Sequence, residues 1–348
     1  MQFYRGDMAA VIGRVNEAYR EIQVKLDARD RQILMLLARD SRMPATQIAK
    51  KVRLSRDAVS YRINRLVEKK VILGFFAEVK FLKLGFYAFD LLLQLDEKNP
   101  EKINMLVADM KSHPNVVNVT EYSDRWDMEI VFLAKSVLEF DRMLSEFGAR
   151  YGDIILERAP LQLVKTYTIS HVPYDIHYTS EYSVPTAAEK EKLDGTDVEI
   201  LKLLALNCRV SNYEVGNKVG LSPDAVAYRI KSLLKKGVIK EFTVMLNYSL
   251  LNYDWYTFAI RLRMLDQKNE AKFKAFVNNH PLIRRAMKTL GAWDLLLYVV
   301  TPSPKEFHAL VKEIKTTFSD IIGNYQAWLA SEELFFEPLP AVIYGNKQ

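Results

Sequence analysis

The segment LSRDAVSYRINRLVEKKVI, residues 54–72, decides the fold because the chain contains it twice. The second copy, LSPDAVAYRIKSLLKKGVI at residues 221–239, matches the first at 12 of 19 positions and lies 167 residues further along. The same offset aligns KLDARDRQIL (25–34) with KLDGTDVEIL (192–201) and continues without a gap through most of each copy. A register kept over such a length indicates a tandem duplication, and the period is too long for a solenoid repeat.

The composition is typical of a globular protein. The 348 residues suggest two or three domains, with 49% hydrophobic and 26% charged residues. No stretch approaches the ~20 apolar residues of a membrane helix, and the N-terminus MQFYRGDMAA lacks the apolar core of a signal peptide. The single cysteine, Cys208, excludes an intramolecular disulfide and a multi-cysteine zinc site. We therefore expect a protein of the reducing cytoplasm, without membrane contact.

The positive charge is concentrated in two short segments. The net charge is +6, yet residues 50–70 hold eight Lys or Arg against two acidic residues, and residues 218–240 hold six against one. These segments contain the duplicated sequence, and the rest of the chain is acidic overall. Such local positive charge favours an anionic partner.

The first part of each copy predicts a helix-turn-helix. In copy one, a helix begins at Asp27, a second opens at Pro44, and a tight turn leads to a basic helix capped by Ser55. Apolar residues at i, i+4 and i+7 of that basic helix face the core: Val59, Ile63 and Leu66. Copy two repeats the arrangement with Ser222 as the cap. The apolar residues after each basic helix predict a short wing.

The recognition helix of such a motif enters the DNA major groove by its N-terminal end. We therefore predict base contacts from Arg56, Ser60, Asn64 and Arg65 in copy one and from Asp224 and Lys231 in copy two. Phosphate contacts are predicted from Lys51, Arg53, Arg62, Lys69, Arg229, Lys235 and Lys236, with the helix caps Ser55 and Ser222 beside them. A solvated basic helix in a helical hairpin is the alternative, but two copies with one cap, core spacing and charge sign favour DNA binding.

The second part of each copy predicts the order βαββαβ. Copy one has strand patterns at 86–95, 116–122, 126–134 and 155–169 and helix patterns at 100–113 and 136–151, and copy two repeats them up to a late strand near 325–336. This is the ferredoxin-like arrangement, an antiparallel sheet with both helices on one face. The other face needs a cover, and the sheet of the second copy is the obvious one. We expect an intrachain pseudo-dimer, and the sequence leaves open whether chains assemble further into a homo-oligomer.

The predicted fold class is therefore α+β, with two winged helix-turn-helix domains alternating with two ferredoxin-like domains. The predicted boundaries are an N-terminal extension at 1–24, winged helix-turn-helix domains at 25–80 and 192–247, ferredoxin-like domains at 81–170 and 248–348, and a linker at 171–191. Helical spacing within the extension, at Val11, Val15, Ala18 and Ile22, predicts one more helix there.

Taken together, these motifs resemble the leucine-responsive/asparagine-operon (Lrp/AsnC) family of transcription regulators. The resemblance is carried by LDARDRQIL and LDGTDVEIL, by the LSxDAVxYRI helices, and by GAWDLLLYV in copy two. It covers nearly the whole chain, twice, and the double module is most similar to archaeal members. The resemblance implies sequence-specific binding to double-stranded DNA, sheet domains of the RAM type that pair subunits, and a small effector, often an amino acid.

In that family the effector binds near a Gly-x-Tyr-Asp turn of the sheet domain. The residues of this chain that match the turn are Asp124, Trp126 and Asp127 in copy one and Gly291, Trp293 and Asp294 in copy two. Copy one has Asp in place of the glycine, and both copies have Trp in place of Tyr, so a larger ring could fill the site. Packing of the tryptophans between sheets and capping of the turn by the aspartates are the alternatives. The resemblance therefore supports DNA binding more strongly than amino-acid sensing.

The sequence contains no recognisable catalytic or cofactor motif. G-x-G-x-x-G, G-K-[ST] and H-E-x-x-H are all missing, and His171 and His177 stand without a cysteine or carboxylate cluster. We therefore expect no catalytic residue, metal or cofactor and predict that the protein is not an enzyme. One alternative is an enzyme like the sirohaem decarboxylases, which share this architecture, but their cleft would want His and Arg, and the second strands NVVNVTEYSDR and LIRRAMKTLGA contain no His. A second alternative is an assembly partner that does not bind DNA.

Overall fold

The computed structural model describes residues 14–173, 176 and 190–345, and within them both copies repeat one order of elements. Copy one runs α1 (Ala28–Arg39), α2 (Ala45–Val52), α3 (Arg56–Glu68), β1 (Ile72–Val79), β2 (Tyr87–Leu95), α4 (Pro100–Ser112), β3 (Val116–Tyr122), β4 (Met128–Ala134), α5 (Val137–Tyr151) and β5 (Ile155–Ile169). Copy two runs α6 (Gly195–Leu206), α7 (Asn212–Val219), α8 (Pro223–Lys235), β6 (Ile239–Leu246), β7 (Asp254–Leu262), α9 (Gln267–Asn279), β8 (Ile283–Gly291), β9 (Leu295–Thr301), α10 (Pro304–Thr317) and β10 (Ile322–Phe336). The α+β class is confirmed, and none of the described helices is both long and apolar enough to cross a membrane.

Local sequence explains the three helices of each head; head one is α1–α3 with β1, and head two is α6–α8 with β6. Asp27 caps α1 by accepting the backbone N–H of Asp30, whose carboxylate accepts the N–H of Asp27 in return. Ser55 Oγ caps α3 by accepting the N–H of Ala58 at 3.1 Å, and Ser222 caps α8 in the same way. The predicted core positions are buried in both recognition helices: Val59, Ile63, Leu66, Val226, Ile230 and Leu233.

The strand predicted after each recognition helix is present, and its partner is the equivalent strand of the other copy. β1 pairs antiparallel with β6, so head one bonds to head two, with Phe75 opposite Val244 and Glu78 opposite Glu241. β1 does not turn back into a hairpin of its own, because the chain passes through a 3-10 turn at Phe81–Leu84 into β2. The open edge of β1 therefore pairs with the equivalent strand of the other copy. As a result, the heads share one two-stranded sheet.

The two sheet domains join edge to edge and close into one eight-stranded barrel, in the order β10-β3-β4-β2-β5-β8-β9-β7. β5 and β10 have 15 residues each and are long enough to belong to both halves. β5 pairs with β2 along its first part and with β8 along its second, and β10 pairs with β7 and then β3. The predicted pairing of the sheets within one chain is therefore present.

Side-chain alternation along the strands separates the barrel interior from the helical layers. Leu92 of β2 and Trp328 of β10 point into the interior and are fully buried. Leu91 and Leu93 point the other way, into a core formed with α4 and α5. α9 and α10 cover the second sheet equivalently. Both helices of each domain thus lie on one face, as the ferredoxin-like pattern predicts.

The N-terminal extension differs from the predicted helix. Residues 14–24 contain one 3-10 turn, and Val11 lies outside the described residues. Val15 is buried, and its carbonyl accepts the backbone N–H of Glu333 in β10 at 2.9 Å. An extended backbone makes this contact possible, whereas a helix would use its carbonyls internally. Most of the predicted linker, 171–191, also lies outside the described residues.

Candidate DNA interface

Recognition helix α3 presents one polar face to solvent. Arg56, Asp57 and Asn64 are exposed, and Ser60 is half-buried beside them. Positions 57, 60, 61 and 64 follow the i, i+3, i+4, i+7 spacing and lie opposite the buried stripe. Tyr61 stands on the same face and is 67% exposed. The predicted base-reading residues Arg56, Ser60 and Asn64 are therefore brought together.

Helix α8 presents an equivalent face with different chemistry. Asp224 and Lys231 are exposed, and Tyr228, at the position equivalent to Tyr61, is 75% exposed. Sequence reasoning missed both tyrosines, although the repeated YRI motif contains them. A phenol hydroxyl can bond a phosphate, and its ring can contact a thymine methyl group. Tyr61 and Tyr228 therefore join the candidate DNA contacts.

Arg62 and Arg229 were predicted to contact phosphates, but each binds carboxylates within its own head. Arg62 Nη1 donates to Asp27 Oδ2 at 2.6 Å and to Asp30 Oδ1 at 2.8 Å. Arg229 repeats both bonds with the equivalent aspartates of α6, at 2.7 and 2.8 Å. These hydrogen bonds to Asp27 and Asp30 raise the pKa of Arg62. Each arginine thus joins its recognition helix to the first helix of the same head. This corrects the prediction that Arg62 and Arg229 contact phosphates.

Arg65 was predicted to read a base, and the geometry contradicts this. Its Nη2 donates to Asp30 Oδ2 at 2.6 Å, and its Nε is buried without a hydrogen-bond partner. Bidentate recognition of guanine needs two free N–H groups on one edge of the guanidinium. Asp30 is 1% exposed and carries a charge that must be paired inside the head. Sequence alone could not show that Arg65 pairs with Asp30, because Asp30 lies on a different helix.

Two turns of head one contain basic residues in a left-handed backbone conformation. Arg53, between α2 and α3, has φ 55°, and Lys70, after α3, has φ 59°. The equivalent positions of head two are Gly220 and Gly237, with φ 71° and 70°. Glycine adopts this conformation freely, whereas an L side chain is disfavoured by roughly 1 kcal/mol. Both side chains are exposed, so head one keeps two positive charges where the backbone favours glycine.

The remaining predicted phosphate contacts are accessible. The lysines concerned are exposed: Lys51, Lys69, Lys235 and Lys236. Ser55 and Ser222 are exposed too, but their hydroxyls cap α3 and α8. A phosphate would therefore meet the backbone N–H groups of the first turn, which also favour an anion electrostatically.

Reciprocal arginine contacts join the two heads. Arg42 reaches from head one to the carbonyl of Val210 at 3.1 Å and to Asn212 Oδ1 at 2.7 Å. Arg209, the equivalent residue of head two, donates to the carbonyls of Ser41 and Met43 in head one. Sequence reasoning missed this pair because each arginine contacts the opposite copy. The heads are thus held to each other by these contacts as well as by the β1–β6 sheet.

Three of the six predicted effector residues line one pocket, and the other three make structural contacts. Trp126, Gly291 and Trp293 line a pocket of about 480 Å³. Asp127 Oδ2 accepts the backbone N–H of Leu95 at 2.6 Å, and Asp294 Oδ2 accepts that of Leu262 at 2.7 Å. Asp124 similarly accepts the N–H of Leu329 at 2.7 Å. The carboxylates thus tie strand ends together.

The two tryptophans pack inside the barrel. Trp126 and Trp293 are 2% and 6% exposed, and each ring meets Trp328 with ring centroids 6.5 Å apart. Gly291 has φ 138°, and a Cβ there would lie 2.5 Å from the carbonyl oxygen of Pro160. Packing against β5 therefore requires glycine at this position. The alternatives considered for these residues are therefore present as contacts: the tryptophans pack between the sheets, and the aspartates accept backbone N–H groups.

A second cavity lies between the two sheets, next to β1, and has a volume of about 280 Å³. Its wall contains His171, Arg284 and Arg285, together with Glu129 and Tyr298. The second strand of each sheet contains no histidine, as the sequence shows, but His171 enters the cavity wall from beyond the end of β5. Sequence reasoning searched only the second strand of each sheet.

The β1–β6 pairing also creates an ionic cluster that spans both copies. Glu78, His171 and Glu241 each bring a possible metal-ligating atom within 4.8 Å of the others. The Lys240 ammonium, however, bonds Glu78 at 3.1 Å and Glu241 at 3.0 Å. Burial alone would raise the pKa of Glu78, but Lys240 and His171 hold that pKa well below its usual range. Lys240 thus places one positive charge between the two carboxylates.

Comparison with known proteins agrees with the geometry of the heads. Residues 26–67 match the AsnC-type helix-turn-helix domain, and residues 193–240 match a winged helix-turn-helix DNA-binding domain. The proline dehydrogenase transcriptional activator of Rhodobacter capsulatus is 32% identical over 151 residues, which are 43% of this chain and 97% of that protein. The leucine-responsive regulatory protein of Rhizobium meliloti (strain 1021) is 31% identical over 131 residues, 37% of this chain and 84% of that protein.

At the level of the whole fold, the chain is similar to the sirohaem decarboxylase NirDL. The two superimpose with a TM-score of 0.61 at 11% identity, over 91% of this chain and 97% of that one. At this identity the similarity concerns the fold alone. Relatives that are about a third identical along nearly their whole length, together with two matched DNA-binding domains, decide the family. This chain belongs to the Lrp/AsnC family and is a DNA-binding transcription regulator.

Proposed function

We propose that this regulator binds a single operator with both heads at once and carries out no enzymatic reaction. One chain then does what a pair of subunits does in a dimeric regulator. The observation that carries the proposal is the fixed pairing of the heads through Arg42, Arg209 and the β1–β6 sheet. Because each head contacts the backbone of the other, the two recognition helices approach DNA as one unit.

The two heads are proposed to contribute differently. Head one presents Arg56 and Asn64, which can each bond a base edge through two atoms, whereas head two presents Asp224 and Lys231. Head one also keeps Arg53 at a backbone position where head two has glycine. We infer that head one specifies the sequence and that head two chiefly anchors the protein.

Selection of bound DNA from a random pool tests this proposal. The expected site is an imperfect palindrome with half-sites about 10 base pairs apart, or a multiple of that spacing, and one half-site strongly defined. Arg56→Ala should relax specificity in the strong half, whereas Lys235→Ala should weaken binding evenly across sequences. Arg142→Ala, which removes an exposed arginine of α5, is the control and should change neither. Perfectly symmetric selected sites would contradict the division of roles.

A small effector such as an amino acid is proposed to bind at the pocket lined by Trp126 and Trp293. The pocket also contains Arg125 and Arg261, whose charge suits a carboxylate. Thermal melting with each proteinogenic amino acid tests this, and Arg261→Gln should abolish any stabilisation. If no amino acid shifts the melting temperature or the affinity for DNA, the pocket has no such effector.

The enzyme alternative rests on the whole-chain fold shared with NirDL. The interior cavity contains the histidine and arginines that a tetrapyrrole enzyme would want. However, its volume of about 280 Å³ is at or below the ~300–1,000 Å³ typical of drug-sized ligands, and a polycarboxylate tetrapyrrole is larger. Incubation with sirohaem followed by gel filtration and absorbance spectroscopy decides between them. Co-elution of the chromophore with the protein would favour the enzyme. In a separate mobility-shift assay, binding of the protein to DNA would exclude the assembly-partner alternative.

A further inference from the structure

The interior cavity contains charged groups that the duplicated fold does not require. Arg285 and Glu129 line the cavity, and the buried Asp90 lies near both of them. The residues at the same positions of the other copy are Asn118, Leu296 and Thr257, none of which is charged. The equivalent strand of the other copy therefore folds with an uncharged residue at each position. Folding alone does not explain why these positions carry charged residues.

Arg285 is half-buried in the cavity wall and lacks an ion-pair partner among the described residues. The guanidinium carbon of Arg285 lies 5.6 Å from the centroid of the Tyr298 ring. Its Nε is buried without a hydrogen-bond partner. Within the described part of the chain, no carboxylate lies close enough for an ion pair with it. Glu129 is instead engaged by the hydroxyls of Tyr122 and Tyr298. A half-buried cation without an ion pair would be stabilised by an anion.

The neighbouring acids Asp90 and Glu129 attract Arg285 only at longer range and form no ion pair with it. Burial, with Glu129 close by, raises the pKa of Asp90 to about 7, and burial raises the pKa of Glu129. Near neutral pH a substantial share of Asp90 is therefore protonated. The electrostatics of the cavity favour an incoming anion over an incoming cation.

One part of the wall is apolar. It includes Val117, Val131, Val300, Phe336 and Trp255. Two further wall residues, Tyr87 and Val164, are 37% and 45% exposed and place the mouth of the cavity at the surface. A volume of about 280 Å³ suits a compact ligand of roughly amino-acid size.

We propose that the interior cavity binds a small apolar carboxylic acid, with its carboxylate on Arg285 and its body against the ring of Tyr298 and the valines. This site is distinct from the pocket at Trp126 and Trp293. Residues 76–82 form another part of the wall and include the end of β1, the strand that pairs with head two. A bound acid would therefore contact the sheet that fixes the spacing of the heads. The inference that the bound acid controls DNA binding rests on the proposed function. The inference that the acid binds in the cavity does not.

Calorimetric titration of the full chain without DNA tests the site. The probes are 3-phenylpropionate and hexanoate, with 3-phenylpropan-1-ol as the uncharged analogue and L-phenylalanine as the analogue with an added ammonium group. We expect at least one of the acids to bind, and both analogues to bind about tenfold more weakly or worse. Failure of both acids to bind, or tighter binding of L-phenylalanine, would overturn the proposal.

Variants of Arg285 provide the matched comparison. Arg285→Gln should weaken the acid at least about tenfold, and Arg285→Lys should restore part of that loss. Because Arg285 has no recorded hydrogen bond, Arg285→Gln should melt at the wild-type temperature or above it. Arg263→Gln removes an exposed arginine outside the cavity and should leave binding unchanged. Equal affinities in wild type and Arg285→Gln would place the ligand elsewhere. A separate DNA titration with and without the acid reports on regulation, so failure of DNA binding leaves the calorimetric result intact.

Discussion

Ser41 and Cys208 occupy equivalent positions in the two copies and face each other across the contact between the heads. Ser41 Oγ lies 2.8 Å from Cys208 Sγ, and both side chains are fully buried. Burial raises the pKa of the Cys208 thiol to about 12, so the contact is a hydrogen bond between neutral groups. Arg42 and Arg209, the next residues of each copy, flank this contact and are likewise equivalent. The approximate two-fold axis that relates the heads therefore passes between Ser41 and Cys208.

This proximity predicts an engineered crosslink. Ser41→Cys places two sulfurs in contact, and refolding in an oxidising buffer should form an intrachain disulfide. Loss of both free thiols and faster migration on a non-reducing gel would report it, with the wild type and a reduced sample as controls. DNA affinity should be unchanged, because the crosslink only fixes the pairing that we propose for binding. Two free thiols after oxidation, or loss of DNA binding on crosslinking alone, would contradict the fixed pairing of the heads.

The ion pairs of Arg62 predict an effect on stability rather than on DNA contact. Arg62→Met leaves Asp27 and the buried Asp30 with one bond fewer each, and should lower the free energy of unfolding by about 1–2 kcal/mol. The salt dependence of DNA binding should keep its slope. Urea unfolding and binding isotherms at several salt concentrations measure the two effects, and Arg229→Met should behave alike in head two. A reduced slope with unchanged stability would restore the phosphate role.

The salt dependence of the whole protein follows from the number of accessible cations. Ten basic residues of the two charged segments are exposed, six in head one and four in head two. If about 4–6 of them meet phosphates, log K should fall against log salt with a slope of roughly −4 to −5. Fluorescence anisotropy with labelled duplex from low to physiological salt measures this slope. A slope near zero would be incompatible with binding through these faces.

The left-handed turns predict that stability and affinity separate. Arg53→Gly relieves an unfavourable backbone conformation, so the free energy of unfolding should stay the same or rise by up to about 1 kcal/mol. DNA affinity should nevertheless fall, with the salt slope reduced by about 0.9 if the side chain meets a phosphate. Lys70→Gly should act in the same direction. Unaltered affinity in both variants would remove these residues from the interface.

Much of the architecture could be read from the sequence because its signals are local. The caps Asp27, Ser55 and Ser222 act within one turn of their own helices, and the buried stripe of α3 follows from helical periodicity. The order βαββαβ was predicted for the same reason, since strand and helix periods are properties of short segments. The tandem offset itself placed two complete heads in one chain.

Contacts across the duplication could not be read in this way. The strands after the recognition helices were predicted, but not that β1 pairs with β6, far along the chain, and the predicted N-terminal helix is wrong because Val15 bonds β10 instead. The charges of Arg62 and Arg65 looked available on a helical wheel, but the buried carboxylate of Asp30 engages them from another helix. Periodicity and capping act within a few residues and are therefore determined by the sequence alone. Which charge is paired, which edge is free and which cavity remains depend on elements that meet only when the two copies close around their common axis.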